Sequence, residues 1–93
     1  MADDSFIKDP AARLDYSWDW SKWLAEVADT IASATVLVPL GLTQVGVPVV
    51  GDKVVTQRVE GGVLDSVYTL VCQITTAGGL IDERSIHLTI ADR

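Results

Sequence analysis

Apolar and polar positions alternate through most of this chain. Leu14, Tyr16, Trp18 and Trp20 fall on one side of the alternation, with Asp15, Ser17, Asp19 and Ser21 on the other. A period of two sustained over eight residues predicts a half-buried strand. A helix competes, because Tyr16, Trp20, Trp23, Leu24 and Val27 also fall at helical spacing. The strand accounts for the polar positions as well as the apolar ones, so it takes Leu14 to Ser21 and leaves one helical turn for Lys22 to Val27.

The same reading continues downstream. Asp29 to Pro39 predicts a strand stopped by Pro39, and Leu40-Gly41-Leu42 a turn or an edge. Leu42 to Val50 predicts an extended piece that Pro48 confines to an edge or a bulge, because proline cannot donate to a ladder. Gly51-Asp52 turns the chain into a strand over Lys53 to Glu60, and Gly61-Gly62 predicts a tight hairpin turn after it. The strongest strand signal sets Tyr68, Leu70, Cys72 and Ile74 against Thr69, Val71, Gln73 and Thr75. Ala77-Gly78-Gly79 then predicts a hairpin into Leu80 to Ala91, with Ile86, Leu88 and Ile90 facing one way and Ser85, His87 and Thr89 the other.

About seven short strands with turn signals every ten residues or so point to an all-β, immunoglobulin-like β-sandwich of antiparallel strands. Tyr68, at the start of the penultimate strand, is placed like a tyrosine corner, whose hydroxyl bonds back to nearby backbone. Asp9-Pro10 pushes residue 9 toward extended geometry. Residues 1–12 therefore read as an extended N-terminal arm, with Phe6-Ile7 to pin it, and residues 13–93 as one sandwich domain. A chain of 93 residues is sized for a single core.

Composition narrows the function. A net charge of −6 repels phosphate backbones and anionic lipid surfaces, which argues against nucleic acid and membrane as partners. The opening MADDSFIKD has no apolar h-region, so no signal peptide is expected and synthesis in the cytoplasm is. Hydrophobic residues make up 48% of the chain, rich in Val, Ile and Leu, and leave apolar outer faces suited to a homo-oligomer or a permanent assembly.

No catalytic, cofactor or metal set is expected. His87 is the single histidine, on an alternating polar face and without a marked nucleophile or base partner. Cys72 is the single cysteine and falls on the apolar face, where a thiol acts as a small inert hydrophobe. Asp15, Asp19, Asp82 and Glu83 lack the tight acidic loop that calcium needs. The paired glycines lack the Lys-Ser/Thr and helix of a phosphate loop.

The aromatic stretch is the candidate contact surface. All three tryptophans and Tyr16 lie between Lys8 and Glu26, and residues of this size dominate cores and interfaces alike. Tyr16, Trp18 and Trp20 either cap the core or project into a neighbour, and Trp23 reads as a plug that seals the core or faces a partner. Asp82 and Arg84, with Glu83, read as a local charge network available to a partner. The candidate interface is therefore Tyr16, Trp18, Trp20, Trp23, Asp82 and Arg84.

These residues also carry a resemblance. Asp9-Pro10, Leu14-Asp15-Tyr16, Asp19-Trp20, Trp23-Leu24, Asp29-Thr30-Ile31 and the hairpin from Thr75 to Ile86 resemble the small tail-adaptor proteins of tailed bacteriophages, described as fiber-tail adaptor or head–tail structural proteins. The resemblance spans about residues 7–91. It implies a non-enzymatic virion component, present in multiple copies, that joins tail, fiber, baseplate or neck proteins. The alternatives are a capsid decoration protein and a small carbohydrate- or protein-binding adhesion module.

Overall fold

The computed structural model describes residues 4–92. In chain order these form β1 (Asp4–Lys8), β2 (Arg13–Asp19), α1 (Ser21–Val27), β3 (Ile31–Leu37), β4 (Leu42–Val50), β5 (Val54–Gly61), β6 (Val67–Thr76) and β7 (Ile81–Ile90). A four-stranded sheet in the order β1-β7-β6-β3 packs on a three-stranded sheet in the order β2-β5-β4. The result is a β-sandwich whose core is built from Tyr16, Trp18 and Trp20 in the aromatic stretch, with Val55 and Val59 of neighbouring β5, and from Leu70, Cys72, Ile74, Ile86, Leu88 and Ile90 of the facing sheet.

The alternation seen in sequence is what fills this core. Tyr68 and Leu70 of β6 register opposite Leu88 and Ile86 of β7, while Cys72 and Ile74 register opposite Arg84 and Asp82, so the inward face of the hairpin is apolar toward the Tyr68 end and carries charged partners toward the turn. Tyr16 and Trp18 of β2 register opposite Gln57 and Val55 of β5. Leu14, which alternation places on the same face, is 40% exposed near the strand's start, although its partner Val59 is fully buried. Val36 of β3 is buried against Cys72 in the ladder.

Several elements differ from the sequence reading. The strands pair antiparallel with one exception, since β1 lies parallel to β7. Residues 4–8 of the expected arm thus extend the chain's own four-stranded sheet, while residues 1–3 of that arm and residue 93 lie outside the described residues. Lys8 anchors β1. Its ammonium is fully buried and donates to the carbonyls of Gly61 at 2.6 Å and Asp9 at 2.9 Å, tying one sheet to the end of β5 in the other.

The Gly61-Gly62 pair is not a hairpin, because β5 and β6 belong to different sheets. It carries the chain across the sandwich. Gly62 has φ +110°, and a Cβ there would come within 2.7 Å of the Ile90 side chain, so the crossing needs both the backbone freedom and the empty space of glycine. Pro48 is accommodated as expected: β4 is an edge strand, and its pairing with β5 is interrupted between Val45 and Val49. The buried Gln57 fills that interruption, donating to the Gly46 carbonyl at 3.1 Å and the Arg58 carbonyl at 2.9 Å while accepting from Gln44.

Tyr68 behaves as its position predicts. Its hydroxyl accepts the Val63 backbone N–H at 3.1 Å. Its ring also lies where a Cβ on Gly41 would be, 2.5 Å from the hydroxyl. One side chain therefore holds both the β3–β4 and the β5–β6 crossings at one end of the sandwich.

Candidate functional site

The opposite end is built around the aromatic stretch. The strand stops at Asp19, whose carboxylate accepts the Ser21 N–H at 2.9 Å as the chain enters α1. Trp20 is therefore the residue before the helix and not the last residue of a strand. Its own N–H donates to the carbonyl of Lys53, the residue before β5, at 2.8 Å, which moors the helix entry to the start of that strand. The helix ends on Ala28, held in the left-handed region at φ 52°, and Asp29 follows with its carboxylate on the N–H groups of Thr30 and Gly78. That carboxylate braces the β6–β7 hairpin against the α1–β3 connection. Its pKa is held below the usual carboxylate range, first by the Thr30 N–H.

Three of the six candidate interface residues lie inside. Tyr16, Trp18 and Trp20 are all buried within the chain, and Tyr16 packs its ring 5.4 Å from that of Phe6 on β1. Trp23 is half-buried, with its ring edge-on to Trp20 at 5.9 Å. It is therefore both the outer layer of the core and the tryptophan that reaches the surface. The Trp18 indole N–H is buried and has no hydrogen-bond partner among the described residues.

Arg84 does more than the expected charge network. It lies on the inward face of β7, opposite Cys72, at the open end of the sandwich. Its guanidinium stacks 4.4 Å above the Trp20 ring and donates to the Asp19 carbonyl at 2.8 Å. A planar guanidinium suits this double duty, as it can stack by its face and donate from its edge. Asp82 is on the same face two residues earlier, half-buried, with its carboxylate accepting the Glu83 N–H.

Two shallow clefts flank Arg84. One, of about 300 Å³, runs between Asp19 and Trp18 on one side and Ser85 and Ile86 on the other, with Asp4 at its rim. The second, of about 230 Å³, is lined by Lys22, Trp23, Glu26 and Arg84. The arrangement offers an aromatic surface, a guanidinium and carboxylates of both neighbouring elements, a set suited to gripping a protein surface.

Cys72 is fully buried, and desolvation raises its thiol pKa to about 11, with Trp20 and Arg84 pulling weakly the other way. His87 is half-buried on the outward face of β7 and shares a hydrogen bond with the Thr69 hydroxyl at 3.0 Å. Among the described residues no three of His, Cys, Asp and Glu are grouped to hold a metal ion. No described helix is long and apolar enough to cross a membrane.

The sequence reading passed over the charged outer face of the three-stranded sheet. There Arg58 meets Asp15 at 2.8 Å and Arg13 meets Glu60 at 2.8 Å, both across β2–β5. The signal was the alternation of Arg13, Asp15 and Asp19 with the aromatics, which gives one charged face once β5 is placed beside β2.

Comparison with known proteins gives one family. The model of the family described as podophage GP4 fiber-tail adaptor protein gp77 matches residues 8–89. No curated protein matches the chain.

Proposed function

Because the chain belongs to the podophage GP4 fiber-tail adaptor family, we propose that it joins fiber to tail through the surface centred on Trp23 and Arg84. The family is a structural one, so the chain is a tail-associated structural protein of a phage. The family match across residues 8–89 is the observation that carries the reading. The site adds its chemistry: a half-exposed tryptophan backed by a buried one, beside an arginine already held in place, resembles the anchors of protein interfaces.

In this reading the protein acts by contact and not by catalysis, and it is present in several copies per particle. Trp23 fills a pocket on one partner. Arg84 and Asp82 set the approach by charge. The sandwich itself is the rigid spacer. The test is to mix the purified chain with the fiber and tail proteins of the same phage and follow the three-component complex by light scattering. The wild-type chain bridges the two, and the Trp23→Ala, Arg84→Ala double variant fails to bridge while keeping its strand content by circular dichroism. A folded double variant that bridges as well as wild type overturns the assignment of this surface.

A further inference from the structure

The two outer faces of the sandwich differ in kind. Over the three-stranded sheet the outward side chains include Arg13, Asp15, Arg58 and Glu60, joined in ion pairs. Over the four-stranded sheet the outward positions alternate with the buried ones and are hydroxyl, amide and aliphatic residues together with the imidazole of His87. Glu83 is the one side chain there with a full charge at pH 7 among the described residues. Leu37 and Val67 stand on this face 67% and 61% exposed. In a chain that is 22% charged, a whole sheet face with one charge shares the depletion of charged residues that marks interface cores.

From this we infer that the outer face of β1-β7-β6-β3 is a self-association surface, on which a second copy of the chain packs face to face. Charge selects that occupant. Two copies each carrying −6 repel over most of their surfaces, and this face is where they can approach with the least like-charge contact. A two-fold contact sets a patch against itself, which suits a patch that needs no opposite charge across from it. Size also fits. Strands of 5, 10, 10 and 7 residues, at roughly 3.3 Å per residue and 4.8 Å between strands, cover on the order of 500 Å². Two such faces bury roughly 1,000 Å², the lower bound for a specific contact. The pair leaves both charged faces and both Trp23–Arg84 surfaces outward.

The inference rests on the multi-copy part of the proposed function and is tested apart from fiber binding. Sedimentation of the isolated chain from 1 to about 100 µM reads the self-association directly, over the range in which contacts of this size dissociate. The wild type is expected to dimerise in this range. Thr69→Arg, on the exposed centre of the face, and Leu37→Glu, at its margin, are each expected to weaken the dimer at least tenfold. Thr56→Arg on the opposite sheet leaves it unchanged. A wild type that stays monomeric at the highest concentration overturns the inference, and so does a dimer indifferent to both face variants. Neither result bears on whether the chain bridges fiber and tail, which the three-component mixture reads separately.

Discussion

The Arg84 guanidinium lies 4.4 Å over the Trp20 ring, joining a strand of one sheet to the residue that starts the only described helix. This contact closes the open end of the sandwich over a tryptophan that has no exposed surface of its own. It also places a cation where the two clefts meet.

Removing that cation is expected to loosen the end without unfolding the domain. Arg84→Ala loses the stacking and the bond to the Asp19 carbonyl, together worth about 1–3 kcal/mol. Arg84→Lys keeps the charge but not the planar stack, and is expected to recover less than half of the loss. Urea titrations followed by tryptophan emission measure both. Equal stability of the Lys variant and the wild type would rule out a special role for the guanidinium.

At the other end, Tyr68→Phe removes the acceptor of the Val63 N–H while leaving the ring against Gly41. The expected loss is about 1 kcal/mol. Gly41→Ala is expected to cost more, since its φ of +103° disfavours a side chain and its Cβ meets the Tyr68 hydroxyl. Thermal denaturation of the two variants gives the order directly.

Stability is expected to fall in acid through Asp29. Folding favours its ionised form, because the Thr30 and Gly78 N–H groups and the Thr76 hydroxyl stabilise the carboxylate. The contribution is therefore fully present above the ordinary value of 3.8 and is lost as pH falls through the lower folded value. Asp15 and Asp19 shift in the same direction, the first through Arg58 and the second through Ser21. Asp29→Asn is expected to flatten the fall in melting temperature between about pH 5 and 2. An unchanged acid slope would show that the brace carries no such linkage.

Cys72 should be silent to a thiol reagent at pH 8 in the folded state and react fully in denaturant. It has no exposed surface, and a pKa of about 11 leaves almost no thiolate. Rapid labelling of the native chain would contradict its place in the core.

Most of this fold is written in period-two alternation. The β6–β7 hairpin, the β4 boundaries and the Pro48 irregularity could all be read from local pattern, because each depends on neighbours in sequence. What could not be read depends on residues far apart. Gly61-Gly62 looks like a hairpin until β5 and β6 are assigned to different sheets. Arg84 looks like part of an Asp-Glu-Arg cluster until Trp20 arrives from sixty-four positions away. The parallel pairing of β1 is equally non-local, since nothing in Asp4–Lys8 names β7 as its partner. Aromatic enrichment marked the stretch that builds the Arg84 end of the sandwich, yet which tryptophan faces outward was decided by the break at Asp19. That break turns Trp20 into the core and leaves Trp23 on the helix surface.

The position of the chain in the particle is the most direct test of its role as an adaptor. A reconstruction of the virion by electron cryomicroscopy is expected to show this sandwich of four and three strands between tail and fiber, with the Trp23 helix end against one of them. Density for it on the capsid surface, or virions that carry their fibers with the chain deleted, would contradict the account.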